Sequence, residues 1–229
     1  MPDNSLLGSL LDPIDRLAET IYSVLILLTF TLAFRIFKLG GAPDPSDPGV
    51  AMTELFVAAL GATVAWGLID GLMHVLLEIF QRGERHRLLR LIQTAESERA
   101  GVAVIAEELD YVLEPIADES DRTALYHSVF ARLQASQPRP VGIKRSDLAG
   151  ALGCVIVSVL AVLPSLLPLI LIRSDPNLAI RVSNSVSFVV LFIAGYRWGQ
   201  YTGADPLRTG LLLVVVAVLM VAIAIPLGG

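Results

Sequence analysis

A single cysteine, Cys154, stands in a chain of 229 residues. One thiol excludes an internal disulfide framework and a cysteine-based zinc site. Charge is also scarce: Asp, Glu, Lys and Arg make up 17% of the residues, against about 25% in an ordinary soluble domain. The chain holds no GxSxG elbow, glycine-rich phosphate loop or HExxH helix, so no enzyme is expected. A net charge of −5 without a long basic stripe argues against a nucleic-acid partner.

Apolar residues are what the chain has in excess, at 54% of the whole, with a mean hydropathy of +0.67. They collect in windows from Ala18 to Phe34, Ala51 to Phe80, Leu148 to Ile172, Ala179 to Tyr196 and Leu207 to Leu227. A helix needs about 20 mostly apolar residues to cross about 30 Å of hydrocarbon. The second window, about 45 Å long if wholly helical, exceeds that need. The expected fold is all-α: a polytopic membrane protein with five transmembrane helices and a small helical insert between the second and third. The expected organisation is an N-terminal segment with the first two spans over 1–80, the insert over 81–147, and the last three spans over 148–229.

Orientation follows from Lys and Arg near the span ends. Arg82, Arg85, Arg87 and Arg90 follow the second span, and Arg139, Lys144 and Arg145 precede the third. The insert is therefore expected in the cytoplasm of a cell (inner) membrane protein, with the N-terminus inside and the C-terminal LGG outside. The first nineteen residues carry Asp3, Asp12 and Asp15 against one Arg16 and show no small-residue cleavage site, so the first span is expected to be retained. The loop from Gly40 to Val50, dense in Gly and Pro, is expected as a short external connector.

Within the insert, three helical patterns are bounded by Gly83, by Pro115 with the DES that follows, and by the QPRP at Gln137 to Pro140. In the middle pattern Val102, Ile105, Leu109, Leu113 and Ile116 share one face, while Glu107, Asp110 and Glu114 fall opposite. That acidic face is either simply solvated, the normal amphipathic pattern, or a hard-cation site, because carboxylates from adjacent turns can converge on one ion.

The stretch WGLIDGLMHVLLEIF, residues 66 to 80, interrupts the second apolar window with Asp70, His74 and Glu78. A charged group at the bilayer centre costs about 2.5 to 3.5 kcal/mol on insertion scales, so such residues face partners, water or a substrate path. Intervals of four place all three on one helix face, with Met73 beside them. Imidazole and carboxylate suit iron, manganese or zinc, and a thioether adds softness; the same groups also serve as proton relays in transporters. Competing roles stay open for each. Glu78 can pair with Arg82 at the interface, His74 can be a neutral histidine with one hydrogen bond, and Glu19, near the end of the first span, either completes the site or caps a helix. Facing carboxyls at Asp70 and Glu19 would favour transport.

The last three spans carry packing signals. Gly195, Gly199 and Gly203 recur every four residues, the spacing that lets membrane helices approach closely. Pro164 and Pro168 are expected to break successive turns of the third span. Ser183, Asn184, Ser185 and Ser187 read as glue between helices.

The order of these parts, with the texts SDLAGALG, LPSLLPLIL, RVSNSVSFVVLFIAGYRWGQYTG, PLRTGL and IAIPLGG, resembles the vacuolar iron transporter family, in a divergent bacterial-type form. The resemblance implies a homodimer that exchanges protons for ferrous or similar divalent ions such as manganous ion, carried as substrate rather than bound as a permanent cofactor. It implies a pathway lined by the first two spans, where Glu19 is the carboxylate available in the first and Met73 and Glu78 are the counterparts in the second. In the insert it points to Glu107 and Glu108. Two other functions fit the residues: a non-transporting scaffold whose insert binds a cytoplasmic protein, and a cation channel, since rings of acidic residues also serve pores.

Overall fold

The computed structural model describes residues 10–36, 48–138 and 140–227. These residues form seven helices: α1 Pro13–Phe34, α2 Pro48–Gln93, α3 Glu98–Leu113, α4 Glu119–Gln134, α5 Arg145–Leu171, α6 Pro176–Thr202 and α7 Pro206–Leu227. Five of them, α1, α2, α5, α6 and α7, are long and apolar enough to cross a membrane. The connector expected over Gly40 to Val50 lies mostly outside the described residues, as does Arg139; its last residues, Gly49 and Val50, are already in the first turn of α2.

Helix starts follow local chemistry. Pro13 and Pro176 occupy first-turn positions where a missing N–H costs nothing. Asp175 accepts from the Leu178 amide at 3.0 Å, Asp205 from the Leu207 amide at 3.0 Å, and Ser97 from the Ala100 amide at 3.2 Å, each satisfying a donor the helix leaves open. Gly203, in the left-handed region at φ 74°, ends α6.

The chain divides into two compact units, one of Met1–His74 with Arg145–Gly229 and one of Val75–Lys144, so the boundary falls inside α2. Gly83 does not bound a separate helix as expected, because α2 continues through it to Gln93. A glycine inside a helix costs only about 1 kcal/mol, and QRGERHRLLRLIQ surrounds it with good helix formers. Pro164 and Pro168 do not break α5, which runs through both to Leu171.

In the first unit α1, α5 and α6 pack together around Val24, Leu28, Leu55, Leu166 and Leu191, all within 1% of full burial. Buried hydroxyls tie the same helices: Ser183 Oγ donates to the Ser165 carbonyl at 2.6 Å, Ser187 Oγ to Ser165 Oγ at 2.9 Å, and Thr31 Oγ1 to Asn184 Oδ1 at 2.9 Å. Glycines set the approach of α7: a β-carbon at Gly195 would stand 2.8 Å from the Thr209 carbonyl oxygen, and one at Gly199 2.7 Å from Pro206 Cα. Gly203 takes no part in that contact; nothing lies within 4 Å of its missing β-carbon. Leu68, Leu72, Leu212 and Leu219 are well exposed, a surface that suits hydrocarbon.

The second unit has its own small core of Ile92, Ile105, Tyr126 and Phe130. Phe130 lies over Gly101, where a β-carbon would be 2.1 Å from the ring. Gln93 donates to the carbonyls of Leu133 at 2.9 Å and Ser136 at 2.7 Å, fixing the end of α2 to the end of α4. Ile116, expected on the apolar face of the middle helix, lies beyond the end of α3 and is 75% exposed.

Candidate functional site

Glu19 is a buried carboxylate of the first unit's spans, at 6% exposure, one turn and a half into α1. It does not cap the helix, whose N-cap is Asp12. Its side chain points inward, where its Oε1 accepts from Ser158 Oγ of α5. Across from it stands Asp70 of α2, half-buried, and the two carboxyl groups are close enough to interact. Three helices thus bring two acids and a hydroxyl to one point.

Small residues make this convergence possible. A β-carbon at Gly67 would lie 3.0 Å from Ser158 Oγ and 3.0 Å from Val155 Cα, and one at Gly71 would lie 2.7 Å from the Ala151 carbonyl oxygen. The pair, spaced by four in GLIDG, lets the backbones of α2 and α5 approach closely. Asp70 sits between the two glycines in sequence and is carried inward by them. One turn further on, His74 lies over Gly150 of α5, whose missing β-carbon would be 2.2 Å from Nε2.

Ser158 has one proton and two acceptors. Its hydroxyl lies 2.8 Å from the Cys154 carbonyl oxygen as well as against Glu19. When it donates to the carbonyl, the Glu19 contact needs a proton on the carboxyl; when it donates to Glu19, the carboxylate is satisfied without one. A carboxyl-to-carboxyl bond between Glu19 and Asp70 likewise requires a proton on one of the two. The cluster can therefore accommodate Glu19 with or without its proton.

The other sequence candidates are placed elsewhere. Met73 is 47% exposed on the outward side of α2. Glu78 belongs to the second unit and is half-buried, and its backbone carbonyl accepts from Arg82 Nε at 2.9 Å. Asp110 is occupied: its Oδ1 accepts from Arg122 Nη1 at 2.6 Å and from Tyr126 Oη at 2.7 Å. Glu107, Glu108 and Glu114 are exposed on α3 and just beyond it. Among the described residues, no group of three or more His, Cys, Asp and Glu side chains is gathered closely enough to hold a metal ion.

Ser158, Gly67, Gly71 and Gly150 were not singled out from the sequence. The GLIDG spacing was a usable signal for the two glycines of α2; nothing in the sequence pairs Gly150 with His74 or Ser158 with Glu19. No protein-family model matches the chain, and no curated protein matches it.

Proposed function

We propose that the chain is a secondary carrier of a divalent transition-metal cation, iron or manganese, driven by proton exchange at Glu19 and Asp70. The observation that carries this reading is the close approach of those two carboxyls within a bundle of membrane-crossing length. The physical argument is one of charge. Two ionised carboxylates inside hydrocarbon are costly. A divalent cation neutralises both, and so do two protons. Either loaded form can face both sides of the bilayer in turn, while the empty, doubly charged form resists moving. That asymmetry is what couples one flux to the other.

Ligand chemistry supports a hard or borderline ion, because the carboxyls and the Ser158 hydroxyl are all oxygen donors and His74 offers imidazole one turn away. With only two carboxyls in contact, remaining ligands would come from water or from movement of the helices as the ion binds. The resemblance to vacuolar iron transporters supports the same reading and adds a homodimer, with the insert facing the cytoplasm.

The test is ferrous and manganous ion flux into proteoliposomes under an imposed pH gradient, with Asp70→Asn, Glu19→Gln and His74→Ala at matched folding and incorporation. Gradient-dependent flux that collapses in both carboxyl variants is the expected result. Absence of flux of either ion in the wild type would remove the reading and leave a non-transporting membrane protein.

A further inference from the structure

The apolar stripe of α3 is longer than the elements that cover it. Ile105 is 2% exposed in the core of the second unit, and Leu109 and Leu113 pack against that core from the same helix. Val112 stands seven residues after Ile105 and continues the buried row toward the end of α3. Beyond Leu113 the chain makes one more turn, with the Ala117 amide donating to the Leu113 carbonyl at 2.9 Å, so Ile116 follows Val112 on the same side. Here the cover ends: Val112 is 58% exposed, Ile116 75%, and Tyr111 beside them 90%. Apolar residues exposed singly are ordinary. Three adjacent ones, a tyrosine among them, make the apolar centre and aromatic anchor that interfaces favour.

The charge around this patch is of one sign. Glu107 and Glu108 lie one turn before Tyr111 and Val112, Glu114 lies one turn after Tyr111, and all three are exposed. No Lys, Arg or His occurs between Arg99 and Arg122, and Arg122 is bonded to Asp110 at 2.6 Å.

Apolar centre and acidic rim together select the occupant. An anionic lipid surface is repelled by the carboxylates. A second copy docking through the same patch about a two-fold axis would set Glu against Glu. A protein segment that carries Lys or Arg around apolar side chains satisfies both features.

We propose that the end of α3 is a docking surface for a basic, apolar segment of another protein, with Tyr111, Val112 and Ile116 as the anchor and Glu107, Glu108 and Glu114 facing its cations. The surface does not depend on the transport reading.

The test places the photoreactive analogue p-benzoylphenylalanine at Tyr111 of the full chain, in the membranes of cells that make it, and sequences the crosslinked peptide. The expected adduct is a segment of a different protein with Lys or Arg beside apolar residues. Its yield should fall about fivefold or more in Glu107→Gln/Glu108→Gln/Glu114→Gln, and also in Ile116→Ser. The same analogue at Ala131, exposed on α4, should not capture it. If the triple variant fails to fold, salt raised to about 0.5 M on membranes holding the unaltered rim replaces it, because screening weakens the same ion pairs. Adducts with lipid would assign the patch to the membrane, and adducts with a second copy would assign it to self-association. Either of these overturns the proposal, as do equal capture from Ala131, a yield indifferent to the rim charge, and the absence of any adduct.

Discussion

His74 and Gly150 occupy one space: the imidazole of α2 fills the place where a β-carbon on α5 would stand, 2.2 Å from Nε2. No rotation of a methyl relieves a contact that short, so the ring or the backbone must move. Gly150→Ala is expected to destabilise the protein by about 1 to 3 kcal/mol, as overpacking of a close contact does. In a His74→Ala background the same change should cost far less. The check is a double-mutant cycle on unfolding in detergent; a cost that persists without the ring would mean that Gly150 is required for another reason.

The glycines of α2 divide into two kinds. Gly67 and Gly71 would drive a β-carbon into α5, to 3.0 Å from Ser158 Oγ and 2.7 Å from the Ala151 carbonyl oxygen, whereas Gly83 has nothing within 4 Å. Gly71→Ala must push two backbones apart, with a loss of about 1 to 3 kcal/mol expected. Gly83→Ala meets no atom and should stabilise α2 by up to about 1 kcal/mol through helix propensity. Unfolding midpoints of the two variants in the same detergent distinguish these signs.

The sequence made the spans legible because length and hydropathy are local properties, and the helix starts legible because Asp, Ser and Pro act within one turn. Packing by Gly195 and Gly199 was legible for the same reason. Which residues meet across helices was not. Asp70, Met73 and His74 share a broad face by spacing, yet at about 100° per residue Met73 lies about 60° to one side of Asp70 and His74 about 40° to the other. His74 turns toward Gly150 while Met73 is 47% exposed. Asp110 showed only as one acid among several, because its partners Arg122 and Tyr126 sit on the next helix. Gly83 does not end α2, because a single glycine among good helix formers is too weak a terminator.

Asp110 should behave unlike its neighbours on the acidic face. It holds Arg122 and Tyr126 together, so Asp110→Ala is expected to destabilise the second unit by about 1 to 3 kcal/mol. Exposed Glu107 and Glu114 should tolerate Gln with little change. Burial and then the neighbouring Asp110 push the Tyr126 phenol above its ordinary value. A raised folded-state value means that the folded protein holds this proton more tightly than the unfolded chain. The stabilisation is therefore complete below the unfolded phenol value of about 10 and is lost as pH rises above it. Thermal unfolding from neutral pH into that range should show the loss in wild type and a shallower one in Tyr126→Phe.

Glu19 has two partners, Ser158 on α5 and Asp70 on α2, and each can be removed alone. Ser158→Ala leaves Glu19 bonded to Asp70, and Asp70→Leu leaves it bonded to Ser158, so either single change retains one contact for a carboxyl only 6% exposed. Together they leave it buried with neither. An unsatisfied buried polar group costs more than a lost hydrogen bond, so the double variant is expected to exceed the sum of the singles by about 0.5 to 3 kcal/mol. Adding Glu19→Leu to the double variant should then recover much of that excess, because the orphaned group is gone. Unfolding free energies in one detergent measure the four variants against the wild type. Strict additivity of Ser158→Ala and Asp70→Leu would mean that the two contacts do not share Glu19 as a common centre, and the carboxyl pair would lose its standing as a single exchange site.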